Sequence, residues 1–215
     1  MEENKKTELV VNNEVSNKTN EIVEMKDKSV SIFSDKNLFE EAQRVAMMLT
    51  QSSLVPLAYQ KNVPNAMIAL EMSNRIGISP FMVMQNMDII HGKPSWSSSF
   101  VIAVLNSCGR FEPLKFRQVG TENTDSYGYV AYTKDKDGND LVSPAVTWDM
   151  VRKENWLNKS GSKWKTMPEL MFQYRAASFF GRLYASDILK GMQSVEESQD
   201  SLSSMKKIDN LDQLK

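Results

Sequence analysis

The spacing of hydrophobic positions along this chain changes character several times, and each change marks an element. Met1 to about Lys36 holds Glu, Asn, Lys, Ser and Thr with isolated valines. It has no sustained period, buries too little surface to fold, and reads as a disordered tail over residues 1–36. From Asp35, a good N-cap, Leu38, Ala42, Val45 and Leu49 recur at helical spacing and predict a first helix. Pro56 and Pro64 mark the next stretch as a connection. Ala66, Ala69, Leu70, Ser73 and Ile76 predict a second helix from about Asn65 to Arg75, with Gly77 as its stop. Phe81 to His91 satisfies both periods. The reading is a helical start near Pro80, an extended piece from Met87 to His91, and a turn at His91-Gly92-Lys93-Pro94. Ser97 caps a further helix over Ser98 to Ser107, with Phe100, Val101, Val104, Leu105 and Cys108 inward and Gly109 ending it.

Beyond Phe111 the period falls to two. Leu114, Phe116 and Gln118 alternate with Lys115, Arg117 and Val119, and Tyr127, Tyr129, Ala131 and Thr133 with Gly128, Val130 and Tyr132. Asp135 to Asn139 is a hairpin turn, and Leu141 to Thr147 returns as a third strand whose Pro144 implies an edge or a bulge. Thr147 caps a short helix, Trp148 to Trp156, and a Gly/Ser loop leads to the longest helical stretch, from Pro168 to about Tyr184. Thr166 and Glu169 have the T-x-x-E spacing of a capping box. Leu170, Tyr174, Ala177 and Gly181 form one stripe of this helix, and Arg175, Phe179 and Arg182 another. From Gln193 a polar composition returns and reads as a tail over residues 193–215. The expectation is an α+β fold: a small antiparallel sheet of three to four strands packed with helices, a core over residues 37–192, and disordered tails on either side.

Charge changes this picture more than composition does. The chain has 26 Lys+Arg against 27 Asp+Glu, which by itself argues against a polyanionic partner. Residues 150–190, however, hold eight Lys/Arg against three Asp/Glu, a local excess of five. No apolar run is long enough to span a bilayer, and the polar, acidic N-terminus is no secretory signal, so a cytoplasmic protein without membrane contact is expected. One cysteine, Cys108, rules out an internal disulfide framework.

Catalytic chemistry finds little footing. There is no G-x-x-x-x-G-K-[ST] loop for ATP and no G-x-G-x-x-G after a strand. Asp135-x-Asp137-Gly138 departs from a calcium loop, because the glycine falls too early and no closing Glu follows, so it reads as a solvated turn. Ser97, Ser98 and Ser99 near His91 read as a helix cap before a nucleophile–base pair. Glu71 and Asp88 would be the carboxylates of a metal-dependent nuclease only if folding joined them. What remains is the alternation of cations and rings along the last helix and its leading loop. A single strand of nucleic acid offers phosphates to such cations and base faces to such rings. An ordinary core helix with two solvated arginines fits the same stretch equally well. Trp164, between Lys163 and Lys165, is placed equally for stacking on a base or for packing. The candidate phosphate contacts are Arg152, Lys153, Lys159, Lys163, Lys165, Arg175 and Arg182, with Arg110, Lys115 and Arg117 from the neighbouring helix end and strand. Met82–Met87 is a Met-rich run suited to core packing or to a subunit contact.

Three stretches resemble the RecT family of phage and prophage recombinases: Gly92-Lys-Pro-Ser-Trp-Ser-Ser-Ser-Phe-Val-Ile-Ala-Val-Leu-Asn-Ser-Cys-Gly-Arg-Phe111, Lys163-Trp-Lys-Thr-Met-Pro-Glu-Leu-Met171, and Tyr174-Arg-Ala-Ala-Ser-Phe-Phe-Gly-Arg-Leu-Tyr184. The likeness runs from about Leu38 to Glu197, with the motifs in the family's order. It implies a non-enzymatic protein that anneals complementary DNA single strands without ATP, and a fold related to the Red beta annealing protein of phage lambda. It also implies a homo-oligomer in rings or helical filaments and a 5′–3′ exonuclease that supplies single-stranded DNA in a bacterial host cell. The annealed duplex would be the product, and a host single-strand-binding protein a further partner. Trp164, Glu169 and Met171 match the family's W…E.M pattern, and Arg182 falls where basic residues follow the helix. Gln173 and Tyr174 stand near a family lysine pair, which moves the implied phosphate contact to Arg175 and makes Tyr174 a candidate contact. No cofactor is implied, and a Mg²⁺ requirement is left open. The alternatives are a passive single-strand coat, the nuclease, and a structural oligomer whose basic strip binds acidic protein tails.

Overall fold

The computed structural model describes residues 30–200, apart from residues 91 and 160. The parts of the two expected tails at residues 1–29 and 201–215 lie outside the described residues. α1 (Lys36–Leu49) starts where Asp35 accepts hydrogen bonds from the Asn37 and Leu38 amides. It packs on α2 (Val63–Ile76), which Asn62 caps and which Gly77 closes in the left-handed conformation at φ 69°. The buried seam of α1 is not the full expected stripe. Ala46 is buried and Ala42 and Leu49 half-buried, while Leu38 and Val45 are exposed. The helix has one neighbouring helix, so only a narrow strip of it finds a partner. Upstream, the Ser31 hydroxyl and the Ile32 amide both donate to the buried Glu71 carboxylate at 2.9 Å, so residues 30–34 lie on α2.

α3 (Pro80–Asn86) runs directly into β1 (Met87–Ile90), as the dual period suggested. β1 pairs antiparallel with β2 (Lys93–Trp96) in a hairpin, a strand that the turn reading had not assigned. Val83, Met84 and Met87 sit in the core, which uses most of the Met-rich run for packing. α4 (Ser98–Ser107) follows, capped by Ser97.

The second sheet has β4 (Gly128–Lys134) at its centre. β3 (Lys115–Val119) lies on one side, with β5 (Asp140–Val142) and β6 (Val146–Thr147) on the other, all antiparallel. The expected third strand is thus broken into two short ones at Pro144. Ser143 bridges the break: its amide donates to the Ala131 carbonyl, and its hydroxyl accepts from the Ala131 amide at 2.9 Å. Gly128 is required here, because a Cβ would lie 1.9 Å from the Val146 carbonyl oxygen. Side chains two apart share a face. Phe116, Tyr127, Tyr129, Ala131 and Leu141 meet the core, while Lys115, Arg117 and Tyr132 lie on the outer face.

α5 (Trp148–Lys153), capped by Thr147, leads through two single 3-10 turns, Trp156–Asn158 and Lys163–Lys165, to α6 (Pro168–Tyr184). α6 is the central helix. Phe172 meets Tyr127 and Tyr129 of the sheet side, and Gly181 gives Leu189 and the α4 residues Val101 and Leu105 close approach from the other. The expected capping box does not form: Met167 is the N-cap and no side chain caps the helix. Residues 194–200, expected within a polar tail, fold back onto the core instead. Residues 195–200 are helical, and Ser194, Glu197 and Ser198 are buried. The architecture is α+β, with small antiparallel sheets packed by helices. No helix among the described residues is long and apolar enough to cross a membrane.

Candidate nucleic-acid interface

The loop before α6 and the first turns of that helix build an aromatic cluster. Trp164 stacks on Trp156 at 5.4 Å and meets Phe172 edge-on at 5.0 Å, with Trp148 on a third side at 6.2 Å. It is 3% exposed. Its faces are taken by protein, so of the two roles open to it the structure assigns packing. The turn is pinned by Ser162, whose hydroxyl donates to the Trp156 carbonyl at 2.7 Å. Lys163 and Lys165 are thereby pushed outward on either side of the buried ring, and both are exposed.

Arg175 also turns inward. Its guanidinium lies 4.1 Å from the centre of the Trp156 ring and pairs with Asp200, and the residue is 3% exposed. Burial brings its pKa down to about 10, against the opposing pull of Glu197, Glu196 and Glu154. Lys159 reaches the same Asp200 carboxylate, and burial, followed by the Arg175 charge, lowers its pKa too. Two turns on, Arg182 donates to Glu197 at 2.8 Å. The expected solvent stripe Arg175–Phe179–Arg182 therefore carries an acidic segment across it. Of its companion stripe, Ala177 and Gly181 are buried, Tyr174 is half-buried and Leu170 is exposed, and the buried face of α6 also takes in Phe172, Ala176 and Phe180. Tyr174 is half-buried and lines a cavity of about 280 Å³ with Met171, Arg175, Val195 and Gln199.

The remaining candidates fall into two kinds. Arg110 grips both oxygens of Asp187 at 2.8 Å, and that bond holds the Asp187 pKa below its usual value. Arg152 pairs with Asp125, and Lys153 with Asp149 at 2.8 Å. Lys115 and Arg117 make no ion pair among the described residues, and Arg117 lies 5.1 Å from the centre of the Tyr132 ring. Lys163 and Lys165 likewise have no carboxylate among the described residues. The geometry therefore divides the twelve candidates. Lys159, Tyr174, Arg175 and Arg182 meet along α6, and Lys115 and Arg117 sit apart on the sheet.

Other chemistry gains nothing from the fold. Glu71 spends its oxygens on Ser31, Ile32 and Arg75. Burial would push its pKa up, but these hydrogen bonds outweigh that and hold it below the ordinary glutamate value. Asp88 has its pKa raised, first by burial and then by Glu196. No group of three His, Cys, Asp or Glu among the described residues is placed to hold a metal ion.

The charge reading missed Glu196, Glu197 and Asp200, and one local signal could have found them. Ser194 and Glu197 have the S-x-x-E spacing. The Ser194 amide donates to the Glu197 carboxylate at 3.0 Å and the Glu197 amide to the Ser194 hydroxyl at 3.3 Å, a complete capping box. No family model, no curated protein and no solved structure matches this chain.

Proposed function

We propose that this protein binds single-stranded DNA along its phosphates and pairs it with a complementary strand without ATP, as the RecT resemblance implies. One observation carries the reading. The three stretches that bear the resemblance, separated in sequence, form one packed unit: α4 lies against Gly181 of α6, and the Lys163–Lys165 turn lies against Phe172. Around that unit the cations stand on a helix, a rigid turn and a sheet, where they keep a fixed spacing for a phosphate track. Holding the backbone leaves base edges free to test a second strand. Correct pairing then adds about 1–2 kcal/mol per stacked step. Annealing by an oligomer also needs apolar surface between subunits. Phe39, Met47 and Met48 of α1, all exposed, supply a surface of that kind.

The test is to mix two complementary oligonucleotides with the protein and no nucleotide. Faster duplex formation is expected, with binding that weakens linearly in log salt. Slower pairing would identify a passive coat, cleavage of the strands in Mg²⁺ would identify a nuclease, and no effect at any protein concentration would remove the annealing reading.

A further inference from the structure

Three features of the α6 face belong together. First, the capping box at Ser194 starts a helical segment in which Glu197 and Asp200, three apart, present their carboxylates to one side. Second, cations from two elements converge on that side: Lys159 and Arg175 on Asp200, and Arg182 on Glu197. Third, the carboxylates leave the place under-filled. Arg175 Nε and Trp156 Nε1 are buried donors with no partner, and both residues line two cavities, of about 280 and 310 Å³. A buried donor without an acceptor is unfavourable, because it has given up water and gained no partner. Two such donors side by side call for an acceptor, which a ligand rich in acceptor oxygens would supply.

We propose that Lys159, Arg175 and the Trp156 indole N–H form a subsite for a DNA backbone phosphate, and that Asp200 fills it in the DNA-free protein as the tip of a displaceable acidic plug. The inference rests on the DNA-binding reading and adds to it a regulation of the same site. A phosphodiester spreads one negative charge over two oxygens, as the carboxylate does, and adds two ester oxygens in a tetrahedral arrangement that can reach the unpartnered donors. Glu197 holds Arg182 in the same manner, as a second phosphate would.

The plug is fastened unevenly. Its root is tied by backbone: the Trp96 amide donates to the Gln193 carbonyl at 3.0 Å, and Trp96 bridges Ser194. Its tip is held at the α6 face by the carboxylate–cation pairs and at the hairpin by the Ser198 hydroxyl, which accepts from Ser95 at 2.6 Å. Glu196 binds the Ser98 hydroxyl at 2.6 Å but also faces the like charge of Asp88, which works against docking. Swinging out residues 195–200 would uncover Arg175 and Lys159 together and raise the cationic field of α6 only when a polyanion is present to replace the carboxylates.

Two measurements with a poly-dT oligonucleotide test this. Hydrogen exchange at residues 195–200 in the unaltered protein should speed up when the oligonucleotide binds. The double variant Glu197→Gln/Asp200→Asn should bind it at least tenfold more tightly, the change that follows where a plug leaves about one tenth or less of the protein open, because apparent affinity is reduced by the open fraction. If the protein binds DNA while those amides keep or gain protection, or if the double variant binds no more tightly, the plug is overturned and DNA binding stands. If neither protein retains the oligonucleotide at low salt, DNA binding falls and the plug with it.

Discussion

The α6 face and the outer face of the β3–β4 sheet both carry cations beside aromatic rings, but they meet solvent differently. On α6, Arg175 and Arg182 are each matched by a carboxylate from residues 194–200, and Arg175 is buried over Trp156. On the sheet, Lys115 and Arg117 have no acid among the described residues, and Arg117 covers the half-buried Tyr132 ring. A count of charges along the sequence ranks α6 as the more basic region. In the folded chain the two α6 arginines are masked, and the accessible charge stands on the sheet and on the Lys163–Lys165 turn. The lesson is that a local charge sum measures a field only when nothing of opposite sign folds back onto it.

The comparison can be broken at its aromatic end first. Trp164→Ala removes a ring enclosed by three aromatic neighbours and should destabilise the fold by about 3–5 kcal/mol in denaturant titration. A loss under about 1 kcal/mol would mean that the ring is not packed as described. On the sheet, replacing Lys115 and Arg117 together by Ala should leave stability within about 0.5 kcal/mol per site. The same double variant should lower the salt slope of single-strand binding by about one unit per lost phosphate contact. Unchanged slopes would return the primary track to the masked face of α6. The smallest effect is a pH dependence at Glu71. Its folded pKa lies below the ordinary glutamate value. The stability it supplies is therefore present above that value and lost as pH falls through the folded pKa. Glu71→Gln should flatten that acid limb while leaving single-strand binding at neutral pH unchanged, because Glu71 lies on α2 against residues 31 and 32 and away from both cationic faces.

Much of the framework was legible because it is local. Asp35, Ser97 and Thr147 cap the helices they were expected to cap, and Gly77 ends its helix as predicted. The period of two placed Lys115 and Arg117 opposite the residues that face the core. The paired rule failed where two similar signals competed. Thr166-x-x-Glu169 does not form its box, while Ser194-x-x-Glu197, inside a stretch that composition marks as tail, does. Capping spacing alone carries no knowledge of burial. Ser194 is held by Trp96, nearly a hundred residues earlier, whereas Thr166 turns its hydroxyl to Lys163 at 3.4 Å.

The sequence by itself determined where most helices begin, where α2 ends and which residues of the β3–β4 pair share a face. Those choices depend on φ preference, caps and side-chain spacing within a few positions. Only the tertiary structure decided the fate of the charges. Asp200 reaches Arg175 across 25 positions and Lys159 across 41, and it does so because burying Ser194 and Ser198 against the β1–β2 hairpin carries the acidic segment there. Electrostatic energy follows distance in space, and no pattern along the chain records that distance.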